Sequence, residues 1–142
     1  IPAFAGMTKF LVFCSYANVS KGKRMGYRSF EDLEVWKRAS CLAVGVYESL
    51  RKCRDYGLKD QMTRSAVSIA SNIAEGAERN SKTEYIRFLH IAKGSAAELR
   101  TQVYIAQQIG IYQVAKATEL IAELKQISSM LQGLIKSLTP NS

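Results

Sequence analysis

The sequence predicts an all-α protein, an antiparallel up-down-up-down four-helix bundle. Three observations lead to this prediction. From residue 30 onward the apolar residues recur at spacings of three and four, the period of amphipathic helices. The only two prolines, Pro2 and Pro140, lie near the ends of the chain and leave the helical part uninterrupted. The 142 residues are 47% hydrophobic and 23% charged, which suits one globular domain and excludes a disordered or fibrous protein.

The chain divides near residue 30 into a basic leader, residues 1–29, and the bundle, residues 30–142. The leader holds five basic residues and no acidic one, so it carries +5 of the formal net charge of +8. The 15 basic and 12 acidic residues that follow leave +3 on the bundle. Two interpretations of the leader stay open. It is a disordered basic arm, or it is a translated bacterial intergenic repeat, in which case residues 1–24 precede a true start at Met25.

The first helix is predicted over residues 31–54. Ser29 is placed to cap it, and the acidic Glu31 and Asp32 lie in its first turn, where the helix dipole is positive. Basic residues crowd its C-terminal end, and Gly57 is expected to allow the turn that follows. The predicted inward residues are Trp36, Ala39, Ala43, Val46, Leu50 and Cys53.

The second helix is predicted over residues 59–78, with Met62, Ala66, Ile69 and Ile73 facing inward. Alanine, serine and glycine are dense in this segment, so a neighbouring backbone can approach it closely. Ser81 and Glu84 form an S-x-x-E capping box that opens the third helix, residues 82–109, and Gly110 is its expected stop. The inward residues of this helix alternate at steps of four and three: Tyr85, Leu89, Ala92, Ala96, Leu99, Val103 and Ala106.

The fourth helix is predicted over residues 113–138 and has the same apolar spacing. Four helices of similar length joined by short connections favour a bundle. The third helix has more apolar surface than its core seam needs, because Phe88, Ile91, Ile105 and Ile109 lie off that seam. This helix is therefore either central to the bundle or part of a subunit contact, and we favour a homo-oligomer.

Catalysis is not expected, and neither is a metal or a cofactor. The single histidine, His90, has no partner one turn away that could form a catalytic pair or a metal site. Neither zinc-ligand spacing nor a phosphate-binding glycine loop occurs, and the three cysteines form no CxxC pair. No apolar run is long enough to span a bilayer, and no complete signal peptide is present, so the predicted location is the cytoplasm, without membrane contact.

A polar row runs along the second helix. Gln61, Arg64, Ser68, Asn72 and Glu75 follow one another at steps of three and four residues, so they share a face. We favour a hydrogen-bond network, buried or between subunits, in which Arg64 is satisfied by Glu75 or by a neighbouring chain. The alternative is a ligand site.

A basic row runs along the third helix. Lys82, Lys93 and Arg100 lie within about 20° of one another around a helix of 3.6 residues per turn. Arg79 in the preceding turn and Tyr104 extend the row. Such a row can follow a phosphate backbone, with Tyr104 stacking on a base. The alternative is a solvated face that is partly neutralised by Glu75, Glu78 and Glu98.

Four segments of this sequence, in order, resemble a known family. They are Phe30-Glu31-Asp32-Leu33-Glu34-Val35-Trp36; Gly57-Leu58 with Gln61 and Arg64; Asn72-Ile73-Ala74-Glu75-Gly76; and residues 81–89 followed by Gly94-Ser95. The resemblance covers residues 30 to about 112. It is to the four-helix-bundle family encoded in ribosomal RNA intervening sequences, also called S23 ribosomal protein-like.

The resemblance implies a bundle that assembles into a ring-shaped homopentamer. Relatives of that family include the accessory variability determinant of diversity-generating retroelements, a basic pentamer that works with a reverse transcriptase and binds nucleic acid. The resulting hypothesis is a non-catalytic, oligomeric bundle that binds RNA or DNA through basic surfaces. The alternative is a protein-interaction scaffold or accessory subunit, for example for a reverse transcriptase, with Ile105 and Ile109 as its docking residues.

Overall fold

The computed structural model describes residues 29–140 and has the predicted four-helix architecture. A 3-10 turn, Phe30–Asp32, precedes α1 (Glu34–Ser49), α2 (Tyr56–Glu78), α3 (Lys82–Gln108) and α4 (Val114–Leu138). Within this described part of the chain there are no strands. Each helix packs against the next one, and α1 also packs against α4, so the bundle closes. Most of the basic leader, including Met25, lies outside the described residues.

The start of α1 differs from the prediction. Ser29 does act as a cap, but its hydroxyl accepts a hydrogen bond from the Glu31 amide and so caps the 3-10 turn, at 3.3 Å. Leu33 is extended, with φ −73° and ψ 121°, so the α-helix begins only at Glu34. The turn places Phe30 edge-on against Trp36, with 5.3 Å between the ring centroids. This aromatic contact fixes the entry of the chain into the bundle.

The connection between α1 and α2 also differs. The first helix ends at Ser49 rather than at residue 54, so the basic residues that follow belong to the connection. The second helix begins at Tyr56 rather than at residue 59, because the Asp55 carboxylate accepts a hydrogen bond from the Leu58 amide at 3.1 Å. Gly57, expected in the turn, lies in the first turn of α2.

The end of α3 confirms the predicted glycine stop. Gly110 has φ +84°, and it is the only residue between 29 and 140 with a positive φ. The Ile111 amide donates to the Ala106 carbonyl at 2.8 Å, and the Gly110 amide donates to the Gln107 carbonyl at 3.2 Å. These two bonds are those of a Schellman motif, which a left-handed glycine makes possible. The predicted Ser81 cap is also present, since its hydroxyl accepts from the Glu84 amide at 3.3 Å.

The core is formed by the apolar faces of all four helices. The four inward residues predicted for α2 are completely buried, and six of the seven predicted for α3 are at most 1% exposed; Tyr85 is half-buried. Trp36 and Cys53, predicted to face inward, are only partly buried. None of the helices between residues 29 and 140 is both long and apolar enough to cross a membrane.

The small residues of α2 allow the close approach that the sequence predicts. A Cβ atom added to Gly76 would lie 2.7 Å from the Cβ of Phe88 and 3.1 Å from the ring of Tyr85. A methyl group does not fit there. About two turns further along, the Ser68 and Ser95 hydroxyls are 2.9 Å apart and share a hydrogen bond. The two contacts set the register of α2 against α3.

Candidate nucleic-acid interface

Three of the predicted basic residues lie on one face of α3. Lys82, Lys93 and Arg100 differ by about 20° in their position around the helix. Among the described residues, none of the three has an ion-pair partner. Of the neutralisation that we considered as the alternative, the Glu75 part is present, since Glu75 pairs with Arg79 beyond the end of these three. The predicted row is therefore present, and its charges are uncompensated by direct contacts.

A hydrogen bond between helices shows which part of α4 lies beside this row. The Lys93 ammonium donates to the side-chain amide oxygen of Gln132 across the α3–α4 boundary, at 2.6 Å. The two helices are antiparallel. A residue a given number of positions after Lys93 on α3 therefore lies at about the same level as the residue that many positions before Gln132 on α4. Arg100 and Lys125 are each seven residues away and are therefore opposite each other.

Two lysines of α4, Lys125 and Lys136, therefore join the row of α3. They are eleven residues apart, about three helical turns, and so they lie on the same flank of α4 as Gln132. We define the α3/α4 basic face by five cations: Lys82, Lys93, Arg100, Lys125 and Lys136. Sequence analysis missed the two lysines of α4 because it gave no register between the two helices.

The carboxylates of α3 and α4 lie on the other flanks of these helices. Glu123 of α4 binds Arg38 of α1 through two hydrogen bonds, at 2.8 and 2.7 Å. Glu84 of α3 lies on the α2 side, where Arg87 hydrogen-bonds its carboxylate and holds its pKa below the ordinary value. Glu98 and Glu119, the remaining two, occupy helical positions about 100° or more from the basic row on their own helix. The α3/α4 basic face consequently has no carboxylate.

The other helical cations are mostly neutralised. Seven of the 15 basic residues between 29 and 140 form ion pairs with carboxylates, and every one of these seven lies outside the α3/α4 basic face: Lys37, Arg38, Arg51, Arg64, Arg79, Arg87 and Lys116. The remaining three, Lys52, Arg54 and Lys59, lie at or near the α1–α2 connection. Unpaired positive charge is thus concentrated on one side of the bundle.

Tyr104 lies at one end of the α3/α4 basic face. It follows Arg100 by four residues, about one turn, and its side chain is 48% exposed. Its hydroxyl has no hydrogen-bond partner between residues 29 and 140. An exposed aromatic ring beside a cation row is an arrangement that suits contact with a base.

Arg79 does not belong to this face. Its guanidinium contacts the Glu75 carboxylate at 3.1 Å and the Glu84 carboxylate at 4.0 Å. It also lies over the ring of Phe88, 4.8 Å from the centroid. The charge of Arg79 is therefore compensated by two carboxylates at the junction of α2 and α3.

The polar row of α2 divides into a hydrogen-bonded centre and exposed ends. The Asn72 amide donates to both the carbonyl and the hydroxyl oxygen of Ser68, and Ser68 bonds Ser95 of α3. Arg64 pairs with Asp60 at 3.0 Å, and Glu75 pairs with Arg79, so the Arg64–Glu75 pair does not form. Gln61 is exposed. Only the centre of the predicted network exists within one chain.

One buried polar atom beside this row lacks a partner. Gln102 of α3 is only 6% exposed, and its side-chain carbonyl oxygen accepts no hydrogen bond. Its amide nitrogen contacts the Glu98 carboxylate at 3.4 Å. Sequence analysis did not single out Gln102.

A set of converged reactive groups is not found in the described residues. No group of three or more His, Cys, Asp or Glu residues between 29 and 140 is placed to hold a metal ion. His90 is exposed on α3. A shallow cleft of about 300 Å³ lies at the α1–α2 connection and is lined by Ser49, Lys52, Cys53, Arg54, Asp55 and Ile111. The α3/α4 basic face is the feature with the clearest chemistry.

Comparisons with known proteins agree with this architecture. The sequence profile of the 23S rRNA-intervening sequence protein family matches residues 31–133. Among solved structures, the chain is similar to a protein of unknown function from the S23 ribosomal protein family of Bacteroides thetaiotaomicron, at 23% identity and a TM-score of 0.68. That similarity covers 72% of this chain and 98% of the other, and it shows the fold. A search of curated proteins finds no match.

The matched segment takes in α1, α2 and α3 completely and most of α4. It therefore spans the four-helix bundle and well over half of the chain. The chain belongs to the 23S rRNA-intervening sequence protein family.

Proposed function

We propose that this protein binds nucleic acid, RNA or DNA, through the α3/α4 basic face and has no catalytic role of its own. One observation carries the proposal: five cations on this face lack carboxylate partners among the described residues, whereas most cations elsewhere are paired. A polyanion that neutralises these cations releases counterions, which favours binding. The +3 charge of residues 30–142 is small, but it is unevenly distributed.

We further propose that the protein is a homo-oligomer, with the pentamer as the expected form. The exposed isoleucines of α3 favour self-association: Ile91 is 39%, Ile105 is 47% and Ile109 is 57% exposed. Several copies would present several basic faces to one polymer, so that weak individual sites add up through avidity. The expected location is the cytoplasm, where both polymers occur.

The test is binding to labelled RNA and DNA across a range of salt concentrations. We expect affinity to fall steeply as salt rises. Neutralising three residues of the face (Lys93→Gln, Arg100→Gln and Lys125→Gln) should lower affinity at least about tenfold. The slope of log affinity against log salt concentration should become shallower by about two to three.

A matched control keeps the change in net charge the same. Arg51→Gln, Arg64→Gln and Lys116→Gln remove three cations that already have carboxylate partners away from the face. If both triple variants weaken binding equally, net charge alone is responsible and the proposed face is wrong. If the unsubstituted protein binds neither polymer at low salt, the nucleic-acid proposal is wrong.

The second candidate function is a protein-interaction scaffold or accessory subunit, and the exposure of Ile105 and Ile109 favours it. The same residues serve the homo-oligomer proposal, so the mass of the protein in solution separates the two. Replacing both by serine should dissociate a homo-oligomer. If the native mass is that of a monomer, these isoleucines are left for a different protein partner, such as a polymerase.

A further inference from the structure

The α3/α4 basic face brings cations of two helices to about the same level. The Lys93–Gln132 hydrogen bond places these two residues side by side on the two antiparallel helices, and the helical rise gives the approximate level of the others. Arg100 and Lys125 lie opposite each other two turns away, about 10 Å along the helix axes. The axes of packed helices are about 8–10 Å apart, so the two long cationic side chains can reach a common anion above the boundary.

The helical positions between these two levels hold small side chains. Ala97 is exposed on α3, and Ser129 is exposed on α4. Ser128 lies beside them and is partly buried. Neither serine hydroxyl forms a hydrogen bond to another residue in the described part of the chain, so both are available to donate to a phosphate oxygen. This part of the α3/α4 basic face thus carries the cations Arg100 and Lys125 and two serine hydroxyls, and α3 and α4 place no carboxylate on it.

Tyr104 adds an exposed aromatic ring beside these cations. It lies about 6 Å along the axis from Arg100, on the side away from Lys93. Two other tyrosines, Tyr47 and Tyr56, are also exposed, at 52% and 71%, but they belong to α1 and α2. Tyr104 is therefore the exposed tyrosine that adjoins unpaired cations on the α3/α4 basic face.

We propose that the α3/α4 basic face is selective for single-stranded nucleic acid, with one phosphate held between Arg100 and Lys125 and an adjoining base stacked on Tyr104. The proposal rests on the proposed function and adds strandedness to it. Phosphate contacts alone serve single strands and duplexes alike. A tyrosine ring can stack only on a base face that is open, and the bases of a duplex are closed within their own stack.

The experiment compares labelled 12-nucleotide oligo(U) and oligo(dT) with 12-base-pair RNA and DNA duplexes, by fluorescence anisotropy at a fixed low salt concentration. We expect both single strands to bind about tenfold or more tightly than the duplexes. Tyr104→Ala should weaken single-strand binding roughly five- to hundredfold, the range of one base stack, and should leave duplex binding unchanged. Tyr104→Phe keeps the ring and should retain the affinity.

Tyr47→Ala is the matched control, because it removes an exposed tyrosine of α1 and should leave all affinities unchanged. Tyr104→Trp adds a direct readout: its fluorescence should be quenched on addition of oligo(dT). Equal affinity for single strands and duplexes, or no effect of Tyr104→Ala, would overturn this inference. The proposed function would still stand in that case, provided that the Lys93, Arg100 and Lys125 triple variant lost binding while its charge-matched control did not.

Discussion

The substitution Gly76→Ala tests how closely α2 and α3 approach each other. Gly76 is buried on α2, and the Cβ that alanine adds would lie 2.7 Å from the Cβ of Phe88. It would also lie 3.3 Å from the carbonyl oxygen of Tyr85. The nearest atom is bonded directly to the α3 backbone, so no side-chain rotation can relieve the clash. Relief requires that the two helices move apart.

Two effects of opposite sign determine how much Gly76→Ala changes the free energy of unfolding. Alanine is favoured over glycine inside a helix by about 1 kcal/mol, which would stabilise the protein. Overpacking a closely packed interface costs about 1–3 kcal/mol, and a contact as short as 2.7 Å belongs at the upper end of that range. We therefore expect Gly76→Ala to lower the free energy of unfolding by about 1–2 kcal/mol. In a domain of this size that corresponds to a fall in Tm of roughly 3–10 °C.

Gly94→Ala is the matched control, because Gly94 lies inside α3 and its added Cβ would meet nothing within 4 Å. Only the helix-propensity effect remains there, so this variant should gain up to about 1 kcal/mol and its Tm should rise. Urea unfolding followed by far-UV circular dichroism measures both changes. If Gly76→Ala stabilises the protein as much as Gly94→Ala does, the interface has more room than the structure gives it and the reasoning is refuted.

Three further predictions concern single polar groups. Tyr112→Phe removes the 2.6 Å hydrogen bond to Ser49 and should cost about 1 kcal/mol in urea unfolding. The Glu84 carboxylate, whose pKa is lowered by Arg87, should titrate below 4.5 in carboxyl ¹³C NMR, and Arg87→Ala should raise that pKa. The contribution of Glu84 to stability is therefore present at neutral pH and lost as the pH falls through this lowered pKa. Gln102→Leu should leave stability unchanged or raise it in urea unfolding, because the buried carbonyl oxygen it removes has no partner.

Each of these three predictions has an outcome that contradicts it. Tyr47→Phe alters an exposed tyrosine of α1, and a loss as large as that of Tyr112→Phe would mean that the Ser49 bond contributes nothing specific. An unchanged Glu84 titration in Arg87→Ala would show that Arg87 is not the cause of the shift. A loss of more than about 1 kcal/mol in Gln102→Leu would show that the carbonyl oxygen is hydrogen-bonded in solution.

The helices were predictable because apolar period and capping chemistry act locally. The inward residues of α2 and α3 could be predicted from their spacing. Ser81 caps the start of α3 and Gly110 ends it, as their residue types predict. Two of the three misplaced boundaries occur around residues 50–58, where two signals compete. The basic residues there suit a helix C-terminus, but Asp55 caps the following helix three residues before Leu58, and its hydrogen bond decides the boundary.

The candidate site was only partly predictable because it depends on pairing between helices. Lys82, Lys93 and Arg100 could be placed on one face from their spacing alone. Lys125 and Lys136 could not be added to them, because the level of α4 beside α3 depends on packing that no local pattern encodes. Arg79 was grouped with this row, but it pairs with Glu75, four residues before it, and with Glu84 of α3.

Net charge is a poor guide to polyanion binding in a protein of this kind. The bundle carries only +3, which on its own predicts weak attraction. Carboxylates that pair with arginines on the other faces reduce this total, yet at short range they do not oppose an anion on the α3/α4 basic face. Screening limits the reach of exposed charges to about 8 Å at physiological ionic strength, so a phosphate on this face would interact mainly with the few cations nearest to it, such as Arg100 and Lys125. What matters for polyanion binding is how many cations have no carboxylate within this screening distance. That number depends on the register of α3 against α4.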